Sequence, residues 1–222
     1  MIAQTTLDFL EALKANNNKP WFDDNRPTYQ KARTNFLAVV QQLINALGQV
    51  DPGIAAAGLE AKQCIMRINR DIRFSKDKTP YKTNLFAFFS QGGKKSAYAG
   101  YYFNLEPGAH FIGGGVYMPE AAVLNKIRQE IDYNWAEWQG IAQNATLLQH
   151  YPEGIKPSGQ LSRPPKGYDK QNPALEYLKY KGYYTQHNLT DAHVLAGSFL
   201  QQATEAYHAV RPLVAFINRS FD

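Results

Sequence analysis

The sequence has one cysteine, Cys64, in 222 residues. No internal disulfide can form, and a reducing compartment is expected. No apolar run approaches the ~20 residues that a membrane-spanning helix needs. The first residues, MIAQTTLDFLEALKANNNK, lack a basic stretch followed by a long apolar one, which predicts no signal peptide. A cytoplasmic protein with no membrane partner is the expectation. The five histidines (His110, His150, His187, His193 and His208) neither pair at i, i+4 nor sit beside a carboxylate in a ligand pattern. No metal site is expected from them. G-x-S-x-G and Walker A patterns are missing, and Gly92-Gly93-Lys94-Lys95-Ser96 lacks the spacing and the following helix that a phosphate loop requires. No cofactor is implied. Cys64 precedes an apolar stretch and reads as core rather than nucleophile.

Charge is also sparse, at 19% of residues, yet it is unevenly spent. In RINRDIRFSKDKTPYKT, Arg67 to Thr83, eight of seventeen residues are charged where about three would match the average. Six are basic (Arg67, Arg70, Arg73, Lys76, Lys78, Lys82) and two acidic (Asp71, Asp77). With Lys94 and Lys95 this region carries +6 of a net +5, so the rest of the chain is close to neutral. A local basic cluster points to an anionic partner more than the modest total does.

A 44% hydrophobic content with 14 tyrosines and 12 phenylalanines excludes a disordered chain. Periodicity places helices at both ends. Thr5 is positioned to cap a first helix that breaks at Asn16-Asn17-Asn18. Pro27 suits the first turn of a second, whose Phe36, Val40, Leu43, Ile44 and Leu47 form one face before Gly48. The period then changes to two: Met66, Ile68, Ile72 and Phe74 alternate with Arg67, Asn69, Asp71 and Arg73. Strands are further expected over Asn84 to Ser90, Tyr98 to Leu105 and His110 to Met118, with Lys94 and Lys95 at an exposed hairpin tip. Short connections make this an antiparallel meander. Helices follow from Pro119, through Trp135 and Trp138, over Ala174 to Lys181 and from Thr190, the last carrying Pro212. Between Tyr151 and Pro173 an irregular segment holds Pro152, Pro157, Pro164, Pro165 and Pro173, and a segment of this kind is usually functional or a linker. The expected fold is α+β: a mostly antiparallel sheet with flanking N- and C-terminal helices. It forms one domain over 1–222, helical in 1–50, sheet in 62–118, helices and a Pro-rich loop in 119–222.

RDIRFSKDKTPYKT, with FLEALKANNNKPWF, GYYFNLEP, GGGVYMPEAAVLNKIRQEI and RPPKGYDKQNPALEYLKYKGYY, resembles the signature of a conserved, mostly bacterial family of unknown function, the domain of unknown function 2461 type. The resemblance runs over most of the chain. It implies one domain of a single type and brings no activity with it. Relatives of this type carry His where this chain has Asn172, which removes a metal ligand or general base from that position.

Three functional classes fit these residues. In the first, a small anionic ligand bearing phosphate or carboxylate is held by Arg67, Arg70 and Arg73, aided by Lys76, Lys78, Tyr81 and Lys82. If the protein is an enzyme, Asp71 or Asp77 is the acid/base. Arg70 is the key residue, because strand alternation turns it toward the apolar side, where a guanidinium needs a partner: a ligand, or Asp77 or Glu106. In the second, the protein is a nucleic-acid or protein interaction module that uses the basic stretch and Tyr98, Tyr101 and Tyr102. In the third, the charges pair among themselves and brace the meander. Gly113-Gly114-Gly115 weakens a strand, so a bulge, a large aromatic side chain packed over it or a closely approaching ligand is expected there. Arg163, Lys166 and Tyr168 of the Pro-rich segment are candidates for a lid. Charged stretch, glycine strand and Pro-rich segment are expected to share one cleft.

Overall fold

A computed structural model describes residues 1–221. The N-terminal half-turns of sequence build α1 (Gln4–Ala15), α2 (Lys19–Asp24), α3 (Arg26–Val50), α4 (Pro52–Ala56) and α5 (Ala61–Cys64). The Thr5 cap is not used: the capping position is two residues earlier, at Ala3, and has no side-chain cap. Asn18 caps α2 instead, accepting the Trp21 N–H. In α3 the apolar face Phe36, Val40, Leu43, Ile44 and Leu47 is buried as its spacing requires.

Three strands follow the expected boundaries closely: β1 (Leu85–Phe89), β2 (Gly100–Leu105) and β3 (His110–Val116), an antiparallel meander. Then come α6 (Ala121–Tyr133), α7 (Trp135–Ala142), α8 (Ala145–His150) and α9 (Leu175–Leu178). Two short strands, β4 (Tyr183–Tyr184) and β5 (His187–Leu189), return to pair with the free edge of β3. They were not foreseen, since two- and three-residue strands leave no period. The chain ends in α10 (Asp191–Leu195), capped by Thr190, and α11 (Phe199–Arg219). Pro212 neither splits nor ends α11. Its missing N–H falls opposite the exposed His208 carbonyl, on the solvent side.

The segment 66–74 is not a strand, against the alternation argument. Only isolated bridges form there, Ile65 to Ala87 and Asn69 to Tyr81. Phe74, expected to point inward, is 96% exposed. The two acidic residues explain the departure. Asp77 accepts the Thr79 N–H at 2.9 Å and Asp71 the Arg73 N–H at 3.4 Å, so side chains take the backbone donors a ladder would use. The result is a loop closed at its neck by Arg70 N–H to Pro80 C=O (2.9 Å) and Lys82 N–H to Ile68 C=O (2.8 Å).

The sheet has two unlike faces. Leu85, Ala87, Phe89, Tyr101, Phe103, Leu105 and Ile112 face inward, against α3 and α11. Tyr101 and Phe89 both meet Tyr207 of α11 edge to face. Phe86, Phe88, Tyr102, Phe111 and Tyr184 lie on the opposite face.

Candidate binding face of the sheet

Strand alternation makes the outer face aromatic. Phe86 of β1 and Tyr102 of β2 lie nearly parallel with centroids 6.2 Å apart, and Phe111 of β3 stands edge-on to both at 6.5 and 6.0 Å. Tyr117, 62% exposed, meets Tyr184 edge-on at 5.2 Å. Phe86, Phe88, Phe111 and Tyr184 are only half-buried. Two adjoining cavities open there. One, of about 320 Å³, is walled by Phe86, Tyr102, Phe111, Tyr117, Tyr184 and Gln186. The other, of about 480 Å³, shares Phe86, Tyr102 and Tyr117 and adds Lys94, Lys95, Ser96 and Gly115 among its walls. An aromatic floor beside ammonium groups can stack a flat ring and receive an anion on the same molecule.

Glycine makes room for this floor. A Cβ on Gly113 would collide with the Thr185 carbonyl oxygen and stand 2.6 Å from the Tyr102 hydroxyl. Gly115, at φ +125°, would collide with the Tyr183 carbonyl oxygen. Gly114 points the other way, onto Val210 of α11. The close approach is therefore made by Tyr102 and by the returning chain of β4. Tyr102 donates its hydroxyl to the Thr185 carbonyl, and burial pushes its pKa far up, so it stays a neutral donor.

The basic segment runs beside β1, because Met66 N–H bonds the Phe86 carbonyl at 2.9 Å. Its charges are partly paired. Arg70, with 27% of its side chain exposed, donates to Asp77 and to Thr79. Arg73 grips Asp71 with two donors, at 2.9 and 2.7 Å. These arginines, together with the Thr79 N–H and hydroxyl for Asp77, hold the Asp77 carboxyl at about 2 and the Asp71 carboxyl below its usual value. Lys78 donates to the Ile72 carbonyl at 2.9 Å. Among the described residues Arg67, Lys76, Lys78 and Lys82 form no ion pair with a carboxylate. Burial, then Arg67, lowers the pKa of Lys82. Tyr81 is buried, stacked on Phe22 at 4.0 Å.

Lys94 is not at a free hairpin tip. Its ammonium donates to the Ile65 carbonyl at 2.9 Å, tying the β1–β2 loop to the start of the basic segment. Lys95 is exposed. Of the tyrosines grouped in the sequence, Tyr98 and Tyr102 join the outer cavity, whereas Tyr101 lies in the core and donates to Asp51 at 2.5 Å.

The expected common cleft does not form. Gly115 lines the outer cavity, while Lys166 and Tyr168 line a different one with Arg128 of α6, and none of residues 67 to 82 is among the walls of either. Arg163 is exposed and walls neither. A chain separation of thirty or more residues carries no sign of which side of the sheet a segment will return to. Phe86, Phe88 and Phe111 were missed as site residues because half-buried strand aromatics look like core in one dimension, and Tyr117 because a lone aromatic just past a strand carries no signal. No group of three His, Cys, Asp or Glu able to hold a metal lies among the described residues. Burial pushes the Cys64 thiol up to about 11, as befits a packed rather than reactive sulfur. No described helix is long and apolar enough to cross a membrane.

A family model described as conserved hypothetical protein (DUF2461) matches residues 5–216. That match covers nearly the whole chain, and the chain belongs to this family. No curated protein and no solved structure matches it.

Proposed function

For a member of a family whose description assigns no activity, we propose that this chain is a binding module for single-stranded nucleic acid, with the outer face of the sheet as its platform. One observation carries the reading: Lys94 and Lys95 stand among the walls of the aromatic-floored cavities, and the strand that supplies Phe86 is hydrogen-bonded to Met66, where the basic segment begins. Bases stack on Phe86, Tyr102, Phe111 and Tyr117, a contact worth roughly 1–3 kcal/mol per base and tolerant of sequence. Lys95 and the cations without carboxylate partners, Arg67, Lys76, Lys78 and Lys82, take the phosphates. Asp71 and Asp77 are ion-pair partners of Arg73 and Arg70, and carboxyls held this low are poor proton donors near neutral pH. A binding role therefore fits better than an acid/base one, and a fully internal charge network fits less well, since most of the cluster's cations lack a carboxylate partner among the described residues.

The test is fluorescence anisotropy with a labelled oligothymidylate of roughly ten nucleotides. Log affinity should fall with log salt between about 50 and 200 mM with a slope near −2, the value for about three phosphates on a single strand. Phe86→Ala should weaken binding about tenfold, within the stacking range. Duplex of the same length should bind more weakly. Absence of binding at low salt, or binding that Phe86→Ala leaves unchanged, would remove the platform from consideration. Tight binding of a mononucleotide with no gain for the oligomer would replace the strand by a small nucleotide ligand.

A further inference from the structure

Away from the sheet face, Arg128 of α6 is 6% exposed and has no carboxylate partner among the described residues. One of its terminal nitrogens donates to the Tyr180 carbonyl at 3.0 Å, and the other reaches Asn125 Oδ1 only at 3.5 Å. Its Nε–H is buried with no acceptor. A guanidinium withdrawn from water without an opposite charge is unfavourable unless something else compensates it. Arg128 lines a cavity of about 490 Å³ between α6 and the turn Pro165 to Tyr168. Lys166, exposed and without an ion pair among the described residues, brings a second cation to the rim. One helical turn along α6, Asp132 lines the same cavity. Its Oδ1 accepts the Asn172 amide at 2.5 Å, and no cation among the described residues forms an ion pair with it. Tyr168 lines the cavity as well, and burial, then the Asp132 charge, raises the pKa of its phenol.

We infer that this cavity binds the head group of a free α-amino acid, carboxylate toward Arg128 and Lys166, ammonium toward Asp132. The inference rests on opposite charges that line one cavity yet do not pair with each other. Residues four apart on a helix face the same way, about 5–6 Å apart at Cβ, which suits a ligand carrying both charges on one carbon. A simple anion would leave Asp132 facing it with like charge. The amides of Asn125 and Gln129 add neutral donors and acceptors to the wall. The site is independent of the sheet face and stands or falls separately.

The experiment is a thermal-shift screen of the full chain with each of the twenty amino acids at about 10 mM, followed by titration calorimetry of the best. Acetate, methylammonium, inorganic phosphate and the methyl ester of the same amino acid are the controls. The amino acid should bind at least about tenfold more tightly than acetate, methylammonium or the ester, which lacks the carboxylate charge. Asp132→Asn, which keeps the amide contact with Asn172 in reach, should lower affinity about tenfold while leaving the melting temperature of the free protein nearly unchanged. Amide chemical shifts of Gln129 and Tyr168 should move on binding. No shift with any amino acid overturns the inference. So does acetate or phosphate binding as tightly as the amino acid, or Asp132→Asn binding as well as wild type.

Discussion

His110 is buried completely at the start of β3, with both ring nitrogens committed. Nδ1 accepts the Glu106 N–H at 3.0 Å, so Nε2 carries the proton and donates to Asp191 at 2.9 Å. Burial lowers the His110 pKa below 6.5, and the Asp191 contact offsets only part of that. As pH falls through 6.5, the unfolded chain takes up a proton that the folded chain refuses, so this histidine contributes stability above 6.5 that is lost toward lower pH. An imidazole NMR titration should give His110 a pKa under 6.5, and the urea midpoint should fall between pH 7 and 5. A pKa above 6.5 would show that Asp191 dominates and would reverse the slope. The sequence marks His110 only as a residue without a ligand pattern. Its environment comes from Asp191, eighty-one positions away, whose approach no local pattern encodes.

At the scale of elements, the basic loop shows how one side chain can hold a segment that has no ladder. Asn17, read in the sequence as part of a helix-breaking triplet, bonds Tyr81 at both ends of its peptide groups: its amide donates to the Tyr81 carbonyl at 2.9 Å and its Oδ1 accepts the Tyr81 N–H at 3.1 Å. The helix break and the clamp are one fact, since an Asn outside the helix is free to turn its side chain to a foreign backbone. Asn17→Ala should cost roughly 1–3 kcal/mol, the range for leaving part-buried backbone groups unpaired. It should also speed amide exchange across 70–82 well before the sheet opens. Unchanged exchange there would mean that the Tyr81–Phe22 stack alone secures the loop. The longer helices α1, α3, α6 and α11 and the strands β1 to β3 were legible because each carries its own period and its own breakers; the short α2, α4, α5 and α8 were not. The loop was not, because alternation of Ile and Arg imitates a strand, and only the local bonds of Asp71 and Asp77 tip the backbone away from it.

For the whole molecule the decisive feature is where charge and aromatic surface lie relative to each other. Arg67 and Lys76 are exposed and form no ion pair among the described residues, so replacing both with Gln should change unfolding free energy by no more than about 0.5 kcal/mol. The same double substitution should weaken oligonucleotide binding and flatten its salt slope by about one. A large loss of stability with the slope unchanged would return the cluster to a purely internal role. The sequence by itself determined the α+β class, three of the four strands expected in the meander and the place of the basic segment next to β1, because these follow from periods and neighbours within a few tens of residues. It also flagged Gly113 to Gly115 as a weak place in a strand that a bulge, an aromatic side chain or a ligand would account for. That the approach is made by Tyr102 and the β4 chain, and that Lys166 and Tyr168 join Arg128 instead of the basic loop, was decided only in three dimensions. Which face of a sheet stays open depends on where α3 and α11 dock and on the path by which the chain returns, and those are set by the packing of the whole core.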